Sequence, residues 1–69
     1  MSTPSKAKQL QRARLEFFQH VMYKLGWTQA RMAEELEMSE RNINRYMTEA
    51  LPVSKVVSLA LQHILRSYG

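Results

Sequence analysis

The chain contains no cysteine, two glycines, two prolines and only six acidic residues against ten lysines and arginines in 69 positions. The first absence removes disulfides, thiolate metal sites and a cysteine nucleophile together, and it is compatible with a reducing cytosol. Gly26 and Gly69 are the only glycines, so there is no glycine-rich phosphate loop. No apolar run approaches the ~18 residues that a membrane span requires. The opening MSTPSKAKQLQRAR is polar and basic where a signal peptide would carry an apolar stretch. His20 and His63 each stand without a second ligand at metal-binding spacing. No nucleophile has a base beside it, and the carboxylates show no fixed pairing for acid–base work. These gaps lead to the expectation of a protein that is no enzyme, takes no metal, cofactor or small-molecule ligand, and does not enter a membrane.

What is present is positive charge and helical periodicity. The net charge of +4 favours a polyanionic partner, and its distribution is uneven. Lys6, Lys8, Arg12 and Arg14 make the N-terminal end basic, while Glu34, Glu35, Glu37 and Glu40 form an acidic run near the middle. A chain of this length is expected to be one domain. It buries only about 60% of its unfolded surface, so its core is thin and a partner subunit would help.

Residues 1–5 read as a disordered tail, followed by a single domain over 6–69. A long helix is predicted from Lys6 to about Leu25, with Leu10, Ala13, Phe17, Val21 and Leu25 on one stripe and Leu15, Phe18 and Met22 beside it. Gly26 suits the position after that helix. Thr28 can cap a second helix running to about Glu37, and a third runs from Ser39 to about Thr48. Pro52 excludes a continuous helix across Leu51–Val53. Ser54 can then cap a last helix extending to about Ser67. No strand pattern, internal repeat or low-complexity segment interrupts this order, so the fold class is all-α, a compact domain of four or at most five helices.

The segment Thr28–Met47, TQARMAEELEMSERNINRYM, has the spacing of a helix-turn-helix. Two helices crossing over a short turn approach closely only where a small residue sits between them, and Ala33 occupies that place. Met32 and Leu36 share its face, and Ile43, Tyr46 and Met47 give the second helix its buried side. Left outward are Glu40, Arg41, Asn42, Asn44, Arg45 and Thr48, a polar face of the kind that base edges require. Arg can pair bidentately with guanine and Asn with adenine. Arg41, Asn44 and Arg45 are therefore the principal base-reading candidates, with Ser39, Glu40 and Thr48 flanking them; Glu40 could accept from a cytosine amino group. Asn42 is assigned to the backbone or to solvent. The plainer reading of the same residues is a solvated helix face.

Gln29, Ala33, Met38, Ile43 and Tyr46 match the opening Gln, small contact residue, post-turn apolar residue and two buried apolar residues of a known family. On these residues the chain resembles the helix-turn-helix regulators of the Cro and phage-repressor type, over about Trp27 to Ile64. The resemblance implies a lambda-repressor-like fold. Glu37 departs from the pattern, since the family usually places Gly at that turn residue, where φ tends to be positive; the departure costs about 1 kcal/mol. The stretch SERNINRYMTEALPVSKVVSLALQHIL also resembles, more loosely, the short anti-CRISPR-associated repressors. That likeness would make the regulated genes an anti-CRISPR operon.

Phosphate contacts are expected from Thr28, Gln29 and Arg31 at the start of the first motif helix, and from Lys55 near the start of the last helix. Such contacts fix orientation without carrying sequence information. The basic N-terminal residues could follow the DNA backbone or form an ordinary solvated face. Trp27 reads as core, and Tyr46 as packed in preference to phosphate-bound. In the last helix Val53, Val56, Val57, Ala60, Leu61, Ile64, Leu65 and Tyr68 follow helical spacing, with Leu59 widening the stripe beyond what one small core needs. Val56, Leu59 and Leu65 are candidates for contact with a second copy; the alternative is a helix sunk deeply in its own core.

The expected protein is a homodimer on double-stranded DNA, bound to an inverted-repeat operator in a promoter. The resemblance implies a transcriptional repressor and autoregulator, and the expected location is the cytoplasm of a bacterial or phage-infected cell, associated with the nucleoid. Two readings stand against it. One is another DNA-binding role, as an excisionase-like factor or an antitoxin; the other is a helical adaptor that uses the Asn/Arg face to bind protein.

Overall fold

In the computed structural model, residues 6–69 are described, apart from the side chain of Ala7; the tail expected over residues 1–5 lies outside them. The described residues form four helices: α1 Lys6–Leu25, α2 Gln29–Leu36, α3 Glu40–Met47 and α4 Lys55–Tyr68. No strand occurs among the described residues.

Hydroxyls open three of these helices. Thr28 Oγ1 accepts from the Arg31 N–H at 3.2 Å, Ser39 Oγ from the Asn42 N–H at 3.2 Å, and Ser54 Oγ from the Val57 N–H at 3.1 Å. Each satisfies one of the donors that a helix start leaves unpaired. The first three helices close alike, on a residue with left-handed backbone: Gly26 at φ 67°, Glu37 at φ 55° and Glu49 at φ 63°. At each closure two backbone N–H groups turn back onto the last carbonyls. Trp27 bonds Met22 at 3.0 Å, Met38 bonds Ala33 at 2.9 Å and Ala50 bonds Arg45 at 2.9 Å, with the inner bonds running from Gly26 to Tyr23, Glu37 to Glu34 and Glu49 to Tyr46. This paired closure turns the chain sharply. Glu37 takes the backbone shape expected of that turn despite its side chain, and α2 and α3 stand as a helix-turn-helix pair joined through Glu37–Ser39.

The core gathers Leu15, Phe18 and Val21 from α1, Met32 and Ala33 from α2, Ile43 and Tyr46 from α3, and Val57, Leu61 and Ile64 from α4, with Val53 from the loop before it. Ala33 is buried at the contact between α2 and its neighbours, as its size requires. Tyr46 packs its ring against Phe18 at 5.7 Å between centroids. Leu36 and Met47, expected inside, are half-buried and lean on the core.

The expected stripe of α1 needs correction. Leu10 is 50% exposed and Ala13 is exposed. The stripe that enters the core is Leu15, Phe18 and Val21, with Phe17, Met22 and Leu25 partly buried around it. The physical reason is the angle each residue takes round the helix: at about 100° per residue Ala13 points away from the side of Leu15, Phe18 and Val21, and Leu10 and Phe17 lie at its margin. Farther along, Arg14 Nη1 donates to the Val53 carbonyl at 3.5 Å, and the Trp27 ring meets Tyr68 at 5.1 Å. These two contacts set α4 beside α1 and pointing the same way.

Candidate nucleic-acid interface

With Ile43 and Tyr46 fixed in the core, the opposite side of α3 is directed outward. Asn44 and Arg45 lie three and four residues after Arg41 and four and three before Thr48, and all four are exposed. At 3.6 residues per turn they form a single stripe. The three principal base-reading candidates are thus brought together on one surface, and Asn42, half-buried, lies off it. The flanking candidates are held more closely by the helix itself. The Ser39 hydroxyl accepts the capping bond, leaving its proton to donate outward. Glu40 occupies the first turn of α3, where a carboxylate favours the helix dipole. The Thr48 hydroxyl donates to the Arg45 carbonyl at 3.3 Å, so it is turned onto the helix end.

The phosphate candidates divide. Thr28 is exposed with its hydroxyl in the α2 cap, and Gln29 is half-buried in the first turn. Lys55 is exposed in the first turn of α4. Arg31 is already engaged: Nη2 lies 3.0 Å from Glu35 Oε1, and the guanidinium carbon is 5.0 Å from the centre of the Trp27 ring. The Tyr68 hydroxyl completes the group by donating to Glu35 Oε2 at 3.2 Å. Trp27, read from sequence as core, is half-buried and serves as the platform of this cluster. The spacing of Arg31 and Glu35 is a signal for their pairing that the sequence carries; the arrival of Tyr68 from the far end of the chain has no such signal.

The dimerisation candidates also divide. Val56 is 75% and Leu59 53% exposed. Leu65 is half-buried and packs against its own core. The outer stripe of α4 is accordingly Val56, Leu59 and, one turn on, His63, with half-buried Ala60 at its edge.

Among the described residues, two hollows stand out on the surface. One, of about 440 Å³, lies between the first turns of α1 and the segment after α3, with Lys8, Arg12, Tyr46, Glu49 and Val53 on its walls. The basic residues of α1 therefore stand beside the far end of α3. The other, of about 590 Å³, is open and largely apolar, formed by Met22, Tyr23, Trp27 and Met47. Among the described residues no group of His, Asp and Glu is placed to hold a metal ion, and no helix is long and apolar enough to cross a membrane. Comparison of the chain with protein-family models, with curated proteins and with solved structures finds no match.

Proposed function

We propose that this protein is a sequence-specific DNA-binding repressor that reads base edges with α3 and binds an inverted-repeat operator as a homodimer. The observation that carries this reading is the exposed stripe of Arg41, Asn44 and Arg45 on a short helix whose other side is locked by Ile43 and Tyr46. Such a helix can enter the major groove as a rigid body, and its Arg and Asn side chains offer the bidentate donor and acceptor patterns that distinguish guanine and adenine there. Thr28, Gln29, Arg31 and Lys55 supply phosphate contacts that orient the domain. The net positive charge assists encounter with the duplex.

One eight-residue helix reads only a few base pairs. Pairing two copies through Val56 and Leu59 of α4 doubles the site and imposes two-fold symmetry on it, with half-sites about one helical turn, or roughly 10 bp, apart. Occupancy of a promoter by the dimer excludes polymerase, and binding upstream of its own gene makes the protein an autoregulator. The resemblance to phage regulators supports that regulatory role, and the looser likeness to anti-CRISPR-associated repressors points to an anti-CRISPR operon as the target. The reading carries a cytoplasmic location, at the nucleoid.

Selection of bound duplexes from a random library tests it. The expected product is an inverted repeat whose affinity falls steeply with salt, because phosphate neutralisation releases counterions. Recovery of no enriched sequence at low salt contradicts the proposal and favours the adaptor reading; strong bending of the selected DNA favours an architectural, excisionase-like role.

A further inference from the structure

The side chain of Arg31 is fixed by groups from three parts of the chain. Its guanidinium carbon lies 5.0 Å from the Trp27 ring centre and 6.0 Å from that of Tyr68, and the two rings meet nearly edge to face. Glu35 gives one carboxylate oxygen to Arg31 Nη2 at 3.0 Å and the other to the Tyr68 hydroxyl at 3.2 Å. Local effects do not account for this placement. A cation in the first turn of a helix opposes the helix dipole, and Arg preceding Glu by four residues is the weaker order for a helical ion pair. The aromatic platform and Tyr68 supply what the helix does not.

The consequence concerns which donors remain. Glu35 meets Arg31 through Oε1 while its Oε2 accepts from Tyr68, so the carboxylate is shared between the two groups. The Arg31 side chain keeps 45% of its surface exposed, and a guanidinium carries five N–H donors, more than one carboxylate oxygen takes up. We infer that Tyr68 and Trp27 act as positioning residues that hold Arg31 ready to donate to a DNA phosphate, an inference that rests on the DNA-binding reading above. An arginine free in solution loses rotamer freedom when it grips a phosphate. Here that freedom is lost on folding, before DNA arrives. Tyr68 thereby contributes to DNA affinity without touching the duplex.

Trp27 is the only tryptophan, so its emission reports on the cluster in the absence of DNA. Salt titration on a labelled duplex of mixed sequence reports on the phosphate contact. Arg31→Met is expected to reduce the slope of log K against log salt by about 0.9. Tyr68→Phe keeps the ring and removes only the hydroxyl, and is expected to weaken binding about two- to fivefold. It should leave the preference between selected and mixed-sequence DNA unchanged, and cost nothing further in an Arg31→Met background. Equal weakening by Tyr68→Phe in both backgrounds overturns the positioning role while leaving DNA binding intact. Trp27 emission that is identical in the wild type, Tyr68→Ala and Arg31→Met overturns the cluster itself. Failure of the wild type to bind any duplex at low salt removes the inference together with the reading beneath it.

Discussion

Glu37 and Glu49 carry side chains in a backbone region where glycine is at no disadvantage. For an L-residue the left-handed conformation costs about 1–2 kcal/mol, and glycine gives back part of that gain through its freer unfolded chain. Glu37→Gly and Glu49→Gly are each expected to raise the free energy of unfolding by about 0.5–1 kcal/mol, measured by urea denaturation, with no change in fold. Gly26 shows that the same closure is already relaxed at the end of α1. At Ser58, a half-buried residue, the buried hydroxyl oxygen has no hydrogen-bond partner among the described residues, and Ser is a weaker helix former than Ala. Ser58→Ala is expected to be neutral or to stabilise by up to about 1 kcal/mol in the same assay. Arg45 belongs to the exposed stripe and not to the core, so Arg45→Ala should leave thermal stability nearly unchanged. Its cost, about 1–3 kcal/mol, should appear as lost discrimination at one base position of the operator.

At the scale of elements, the caps decide what was legible. Thr28, Ser39 and Ser54 each announce a helix start in the sequence, and each makes the expected backbone bond. Gly26 announces the end of α1. The closure at Glu49 carries no such mark, because glutamate is not a residue type that favours a left-handed backbone. The periodicity of α1 misleads at Leu10 and Ala13, since apolar spacing shows which residues could share a face but not which of two adjoining apolar faces the rest of the chain covers. The expected stability effects follow the same division. Phe18→Ala, in the covered part of α1, should cost about 3–5 kcal/mol and unfold most molecules of so small a domain. Leu10→Ala should cost well under 1 kcal/mol, as circular dichroism melts would show. The exposed stripe on α3 was legible because Ile43 and Tyr46 leave only one face for Arg41, Asn44 and Arg45. The Arg31 cluster was not, because Tyr68 is brought to α2 by tertiary packing alone.

At the scale of the molecule, the thin core and the uncovered part of α4 bear on one question, whether two copies pair. Val56 and Leu59 face outward in a domain that has little apolar surface to spare. If they form the dimer contact, the melting temperature should rise with protein concentration, and sedimentation should show a dimer at micromolar concentration. Val56→Lys with Leu59→Lys should give a folded monomer that binds single half-sites weakly and loses the inverted-repeat preference. Leu65→Ala should instead lower stability, because that side chain leans on its own core.

The most direct test of base reading by α3 is a competition assay on the selected operator in which each base pair of a half-site is changed in turn, for the wild type and for Arg41→Ala, Asn44→Ala and Arg45→Ala. Each variant is expected to lose discrimination at its own one or two adjacent positions while retaining the wild-type salt dependence apart from the charge removed. Variants that weaken binding uniformly across all base changes, or that leave every preference unaltered, would contradict the assignment of sequence recognition to this face.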